Sequence, residues 1–229
     1  MTGGTIPPPT GNITLRQGFE LVYRRCWKRI LDIVLSLMGI AVLAVPMAVL
    51  ALLILLDDPG PVLFRQKRVG LHKRYFHILK FRTMRMDTPH DMPTHLLKDP
   101  ERYITRMGRF LRRTSLDELP QIFQILTGEM SVIGPRPALW NQEDLIAERD
   151  RYGANDVKPG LTGWAQINGR DELSIAVKAR YDGEYVEHMS FAFDCRCFFG
   201  TIRAVLRHDG VMEGGTGRLE ERERELSGK

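Results

Sequence analysis

The chain has little cysteine and no metal signature. Three cysteines, Cys26, Cys195 and Cys197, stand among 229 residues. So small and odd a set excludes a disulfide framework and suits a reducing compartment. No C-x-x-C or H-E-x-x-H spacing occurs, and the six histidines are scattered. Cys195-x-Cys197 lies in an apolar stretch and reads as helix packing rather than a ligand pair. Walker A, G-x-S-x-G and G-x-G-x-x-G patterns are missing, which removes the common nucleotide cradles and the hydrolase elbow. A D-x-D triplet is missing too, although many sugar-nucleotide enzymes hold their metal that way. If a divalent ion is needed, Asp117 and Glu118 are the leading ligands. Mg²⁺ often binds through one or two carboxylates plus substrate phosphates.

What the chain has is positive charge and one long apolar run. Its net charge of +5 favours anionic partners: membrane phosphates, nucleotides or nucleic acid. Nucleic acid is the weakest of these, because no recognition helix or aromatic stacking pattern accompanies the charge. Ile33–Leu56 holds 24 residues without a charge. At ~1.5 Å per residue a helix of that length covers ~36 Å, enough for a hydrocarbon core of ~30 Å. Arg24, Arg25, Lys28 and Arg29 precede the run; Arg65, Lys67, Arg68, Lys73 and Arg74 follow it. Lys and Arg favour the cytoplasmic side, so both ends can lie there. Pro46 sits mid-run, where proline removes a backbone bond and clashes with the preceding turn. A helix kinked at Pro46 that dips in and returns satisfies both observations. An ordinary span with a tolerated proline satisfies the second.

Beyond the turn Asp57-Asp58-Pro59-Gly60-Pro61, Val62–Gln66 and Tyr75–Phe81 read as a β-hairpin. Its cations, ending in Lys80-Phe81-Arg82-Thr83-Met84, suit either lipid headgroups or a bound phosphate. Glu101–Arg113 reads as a helix. Arg102, Arg106, Arg109 and Arg113 fall within about 60° of each other on it, a basic stripe fit to lie on anionic lipid. Arg112 is off that stripe. Asn141–Tyr152 reads as a charged helix, and Phe191–Leu206 as an apolar one, packed in a core or on a membrane surface.

The most chemical stretch is Arg112-Arg113-Thr114-Ser115-Leu116-Asp117-Glu118-Leu119-Pro120. Two readings compete for it. Ser115 and Glu118 fit a capping box, and Asp117 could itself cap a helix. Alternatively the acids do chemistry beside phosphate-binding arginines. Gly134-Pro135-Arg136-Pro137 offers a second motif. Two prolines stiffen the backbone around one arginine, whose fork suits bidentate phosphate binding. A rigid turn with an exposed arginine is the simpler alternative. In the Gly-rich loop Lys158–Arg170, Trp164, Gln166, Asn168 and Arg170 could line a nucleotide or sugar pocket.

Together these motifs resemble the bacterial sugar transferases, small monotopic polyprenyl-phosphate sugar-1-phosphate transferases. The resemblance covers roughly Lys28 to Gly215. It rests on Lys28-Arg29-Ile30-Leu31-Asp32, Gly60-Pro61-Val62-Leu63-Phe64-Arg65-Gln66, Lys80–Met84, Thr114–Gln121, Gly134–Pro137 and Pro159-Gly160-Leu161-Thr162-Gly163, in that order. It implies a mostly α fold with a small β-hairpin, an α+β protein. A re-entrant membrane helix and interfacial amphipathic helices would carry a catalytic domain on the cytoplasmic face of a bacterial inner membrane. The expected division is a flexible tail over 1–20, a membrane segment over 21–57, the catalytic domain over 58–213 and a polar tail over 214–229.

The implied reaction moves a sugar-1-phosphate from a UDP-sugar to polyprenyl phosphate and releases UMP. Asp117 matches the family's nucleophile, and Glu118 its assisting base, with Mg²⁺ held by both. Lys80, Arg82, Arg112, Arg136, Gln166, Asn168 and Arg170 are the expected substrate-binding residues. An N-acetylhexosamine is the favoured sugar. Partners are membrane lipid, with a second copy or downstream glycosyltransferases allowed. One residue departs: Val45 precedes the breaking proline, where the family often has a small polar residue. The rival reading is a non-enzymatic, membrane-anchored basic adaptor, which leaves Asp117-Glu118 unexplained.

Overall fold

The computed structural model describes residues 15–88, 100–169 and 173–207. Helix α1, Leu15–Val22, passes through a π-helical turn, Tyr23–Trp27, into the long α2, Lys28–Asp57. Helical structure therefore begins at Leu15, within the stretch expected to be a tail. An antiparallel hairpin follows, β1 (Leu63–Val69) and β2 (Tyr75–Phe81), with Leu63 opposite Phe81 and Val69 opposite Tyr75. Then come α3 (Arg106–Thr114), α4 (Gln121–Thr127), β3 (Ser131–Ile133), α5 (Glu143–Asp150), β4 (Gly160–Thr162), α6 (Trp164–Ile167), α7 (Ile175–Glu187) and α8 (Phe191–Arg207). The fold is mostly helical with a small β-hairpin, as expected, and has a second short sheet.

Helix α2 continues through Pro46, which lies inside it. A proline disturbs one turn, whereas a wholly opened backbone in an apolar setting would strand its N–H and C=O groups. One side of α2 is packed: Met47, Leu50 and Ile54 are buried with Phe81 and Leu111, and Leu116, Leu119 and Ile122 close on them. Gly39 lets Ile122 approach so closely that a Cβ there would meet its Cδ1 at 2.4 Å. The other side is bare, with Met38, Val42, Val45, Val49, Leu52 and Leu56 exposed. Contiguous apolar surface on this scale marks a membrane or partner contact, and the helix is long and apolar enough to cross a membrane.

Both ends of α2 are tied to the same domain. At its start Arg29 donates to the carbonyls of Ile125 and Leu126 at the end of α4, at 2.6 and 2.7 Å. A cation there satisfies bare helix carbonyls. Asp32, buried, accepts from Ser131 Oγ at 3.0 Å and from Val132 N at 2.9 Å. At its end Asp57 accepts from Met107 N at 2.9 Å, and Asp58 pairs with Arg82 at 3.2 Å. Further along the chain, Asp194 of α8 gathers Tyr23, Lys28 and Tyr185 at 2.6, 2.5 and 2.8 Å.

Several sequence expectations are corrected. The helix expected over 101–113 is split: Pro100–Tyr103 is a 3₁₀ turn, Ile104 bridges to Met84, and α3 starts at Arg106. Thr105 decides this, because its side chain accepts from Gly108 N at 2.8 Å and so caps the shorter helix. Arg102 thus lies off α3, while Arg106, Arg109 and Arg113 stay exposed on it. The helix expected over 141–152 is shorter, and β1 is longer. The parallel pair β3–β4, with Ser131 beside Gly160 and Ile133 beside Thr162, was not expected. Three-residue strands carry too little pattern to stand out. Cys197 is fully buried, in keeping with a packing role, and burial pushes its thiol up to about 12.

Replacing Asp32 with Ala removes the acceptor of two donors, which costs about 1–3 kcal/mol for a buried donor left bare. Thermal unfolding in detergent should show a lowered midpoint. A wild-type midpoint would mean that the start of α2 is not held through Asp32.

Candidate active site

Asp117 and Glu118 sit on a single 3₁₀ turn, Leu116–Glu118, between α3 and α4. Ser115 enters it with a left-handed backbone, φ 57°, and ends α3. The capping expectation therefore fails. Ser115 makes no side-chain cap, and the side chain of Glu118 is engaged elsewhere. Leu116 and Leu119 flank the acids and pack on the α2 core, so the turn is pinned by apolar contacts on both sides.

Two cations converge on Glu118. Lys80, from β2, donates to its Oε1 at 2.8 Å, and Arg136 Nη2 donates to the same oxygen at 2.8 Å. Arg136 Nη1 reaches Oε2 at 3.5 Å. Lys80 also stands 3.5 Å from Asp117 Oδ2. The arginine is held from both sides. Gly134 N donates to Thr162 O at 2.8 Å, Gly160 N to Pro135 O at 2.9 Å, and Arg68 to Pro137 O at 3.0 Å. Glycine is required at this crossing, because a Cβ at Gly163 would stand 2.1 Å from Gly134 O. The glycine loop thus holds the backbone that presents Arg136.

The two acids differ in proton affinity. Burial raises Asp117 above the ordinary aspartate range. Lys80 pulls against that rise, and the charge of Glu118 adds to it. Burial alone would raise Glu118 as well, but Arg136 and Lys80 outweigh it and hold its carboxyl well below the usual range.

The other expected residues are placed as follows. Arg112 donates from Nε to Thr83 Oγ1 at 2.7 Å, and its charge acts on Asp117. Arg82 is buried on Asp58, at the end of α2. Gln166 is buried and its amide nitrogen reaches Leu161 O at 3.4 Å; Asn168 donates to Trp164 O at 2.8 Å. Both amides bond within their own loop, and Arg170 lies outside the described residues. Thr83 and Asp58 were not singled out from the sequence. Only their place in or beside the motifs around Lys80 and Gly60 could have flagged them.

A surface ion pair needs only two charges. Here one acid holds two cations while its neighbour keeps a high affinity for protons, a division of labour that suits an enzyme's acid pair. The chain belongs to the bacterial sugar transferase family, which matches residues 23–208, and it is accordingly a transferase. Among its relatives, "Uncharacterized sugar transferase EpsL" of Bacillus subtilis (strain 168) is 38% identical, over 81% of this chain and 90% of its own. The UDP-glucose:undecaprenyl-phosphate glucose-1-phosphate transferase of Escherichia coli (strain K12) is 40% identical over 78% of this chain. The UDP-N-acetylgalactosamine-undecaprenyl-phosphate N-acetylgalactosaminephosphotransferase of Aeromonas hydrophila is 36% identical over 80% of it. The chain spans less than half the length of these last two, 40% and 44%.

The charges give a titration test. By carbon-detected NMR, Asp117 should half-protonate above ~3.9, the ordinary aspartate value. Lys80→Met removes a lowering charge and should move that midpoint further up. Glu118→Gln removes a like charge and should move it down. A midpoint unmoved by either substitution would mean that neither partner acts on Asp117.

Proposed function

We propose that the protein transfers a sugar-1-phosphate from a UDP-sugar to polyprenyl phosphate, releases UMP, and passes through a phosphosugar attached to Asp117. The observation that carries this reading is the pairing of Asp117 with a Glu118 locked by Lys80 and Arg136. In the first step Asp117 attacks the sugar-bearing phosphorus. Its P–O bond forms as the P–O bond to UMP breaks, and UMP leaves with the electron pair. In the second, a phosphate oxygen of polyprenyl phosphate attacks the same phosphorus, and Asp117 returns as a carboxylate. Phosphoryl transfer needs mainly positioning and charge neutralisation, and carboxylates are known covalent nucleophiles for it.

The site suggests a narrower part for Glu118 than base. A carboxylate held well below its usual range is a poor proton acceptor. The acceptor needs none as a dianion, since a phosphate monoester loses its second proton near ~6. Glu118 then serves by fixing Lys80 and Arg136 where the donor's phosphates arrive.

Among the described residues no group of three or more His, Cys, Asp or Glu could hold a metal unaided. Asp117 fits a Mg²⁺ site completed by substrate phosphates, while the oxygens of Glu118 already face cations. Such an ion would supply neutralising charge to the diphosphate.

The apolar helix brings the site to the acceptor. With both of its ends tied to one domain, a helix that enters and leaves by the same face fits better than a full crossing, and the basic flanks favour the cytoplasmic one. An impermeant thiol probe applied to intact cells should then miss a cysteine introduced at position 15; labelling there would support a crossing.

Two of the relatives above are named for different sugars, glucose and N-acetylgalactosamine, so the donor is best found by measurement. Extracted protein with Mg²⁺ and undecaprenyl phosphate should release UMP from one member of a UDP-sugar panel. Asp117→Asn should lower that rate by at least about 10³-fold, as losing a nucleophile does, and should abolish a phosphosugar adduct in the intact mass. Full activity in Asp117→Asn would refute the covalent route.

A further inference from the structure

Four consecutive residues at the end of β2 each hold a different part of the molecule. Lys80 reaches the acid pair, and Phe81 is buried against α2. Arg82 pairs with Asp58. Thr83, buried, accepts a hydrogen bond on its hydroxyl from Arg112 Nε at 2.7 Å. The backbone of Thr83 is itself fixed to α3. Thr105 N donates to its carbonyl at 3.1 Å, and a Cβ at Gly108 would stand 1.9 Å from that oxygen. The hydroxyl thus occupies a set place relative to the helix that carries Arg112. A guanidinium is planar, with its donors in a rigid fork. Bonding Nε therefore restricts the directions of the Nη hydrogens as well.

We propose that Thr83 is a positioning residue, whose hydroxyl orients the Arg112 guanidinium toward the phosphate of the donor bound at Asp117. This role rests on the phosphoryl-transfer reading of the site. Thr83 touches no substrate itself; it removes the freedom of the long side chain that does. Without the hydroxyl Arg112 remains charged and close, but it loses the bond made by its Nε. Small misplacements in such sites can cost about 100-fold in rate.

The test compares wild type with Thr83→Val, Thr83→Ser, Arg112→Met and the double variant Thr83→Val/Arg112→Met. In kcat/KM for UMP release, Thr83→Val should lose about 10–100-fold, while Thr83→Ser, which keeps the hydroxyl, should stay near wild type. In the Arg112→Met background Thr83→Val should cost nothing further. A loss undiminished in that background would mean a merely structural role and overturn the proposal, as would wild-type kinetics in Thr83→Val. A second readout needs no substrate. The Arg112 Nε–H should exchange slowly with water in wild type and Thr83→Ser, and fast in Thr83→Val. Fast exchange in wild type would overturn the tether whatever the activity. A wild type that releases no UMP from any donor, but keeps slow exchange, would instead count against the reaction.

Discussion

Glu118 is the point on which the site depends. Three segments distant in sequence meet at its carboxylate: β2 through Lys80, the turn after α3 through Glu118 itself, and the Gly134–Pro137 loop through Arg136. Burying a charge is costly unless it is paired and hydrogen-bonded, so these groups constrain one another. The cluster is part-buried, so each member helps hold the others, and together they leave Asp117 beside a fixed array of positive charge.

The second constraint is α2. Its packed side supplies the floor under the acid turn through Leu116 and Leu119, and its bare side offers apolar surface that water would disfavour. The same helix is therefore both part of the core and the outward-facing element. Polar ties at its two ends, Asp32 to β3 and Asp58 to Arg82, lie on either side of the apolar contact. Arg82 and Thr83 directly follow β2, which carries Lys80, so the far end of α2 and the acid pair share one short piece of backbone.

Local pattern made some of this readable. A charge-free run of 24 residues could be nothing but a long apolar helix. The hairpin followed from two strand-like runs, Val62–Gln66 and Tyr75–Phe81, beyond a turn. Where two local rules competed, the sequence could not choose. Ser115 and Glu118 satisfied the capping box on paper, but a part-buried Glu118 pairs with two cations instead. Thr105 likewise overrode the periodicity that joined Arg102 to α3.

By itself, then, the sequence determined which residue types were available and in what order: the apolar run, the adjacent acids, the stiffened arginine and the basic hairpin. These are properties of neighbours along a chain, set by spacing and side-chain chemistry. Only the tertiary structure decided that Lys80 and Arg136 share one carboxylate, that Arg82 turns to α2, and that a glycine loop presents Arg136. Those outcomes depend on which groups are buried together. Burial changes the strength of every charge and hydrogen bond it encloses, and no window of sequence contains that information.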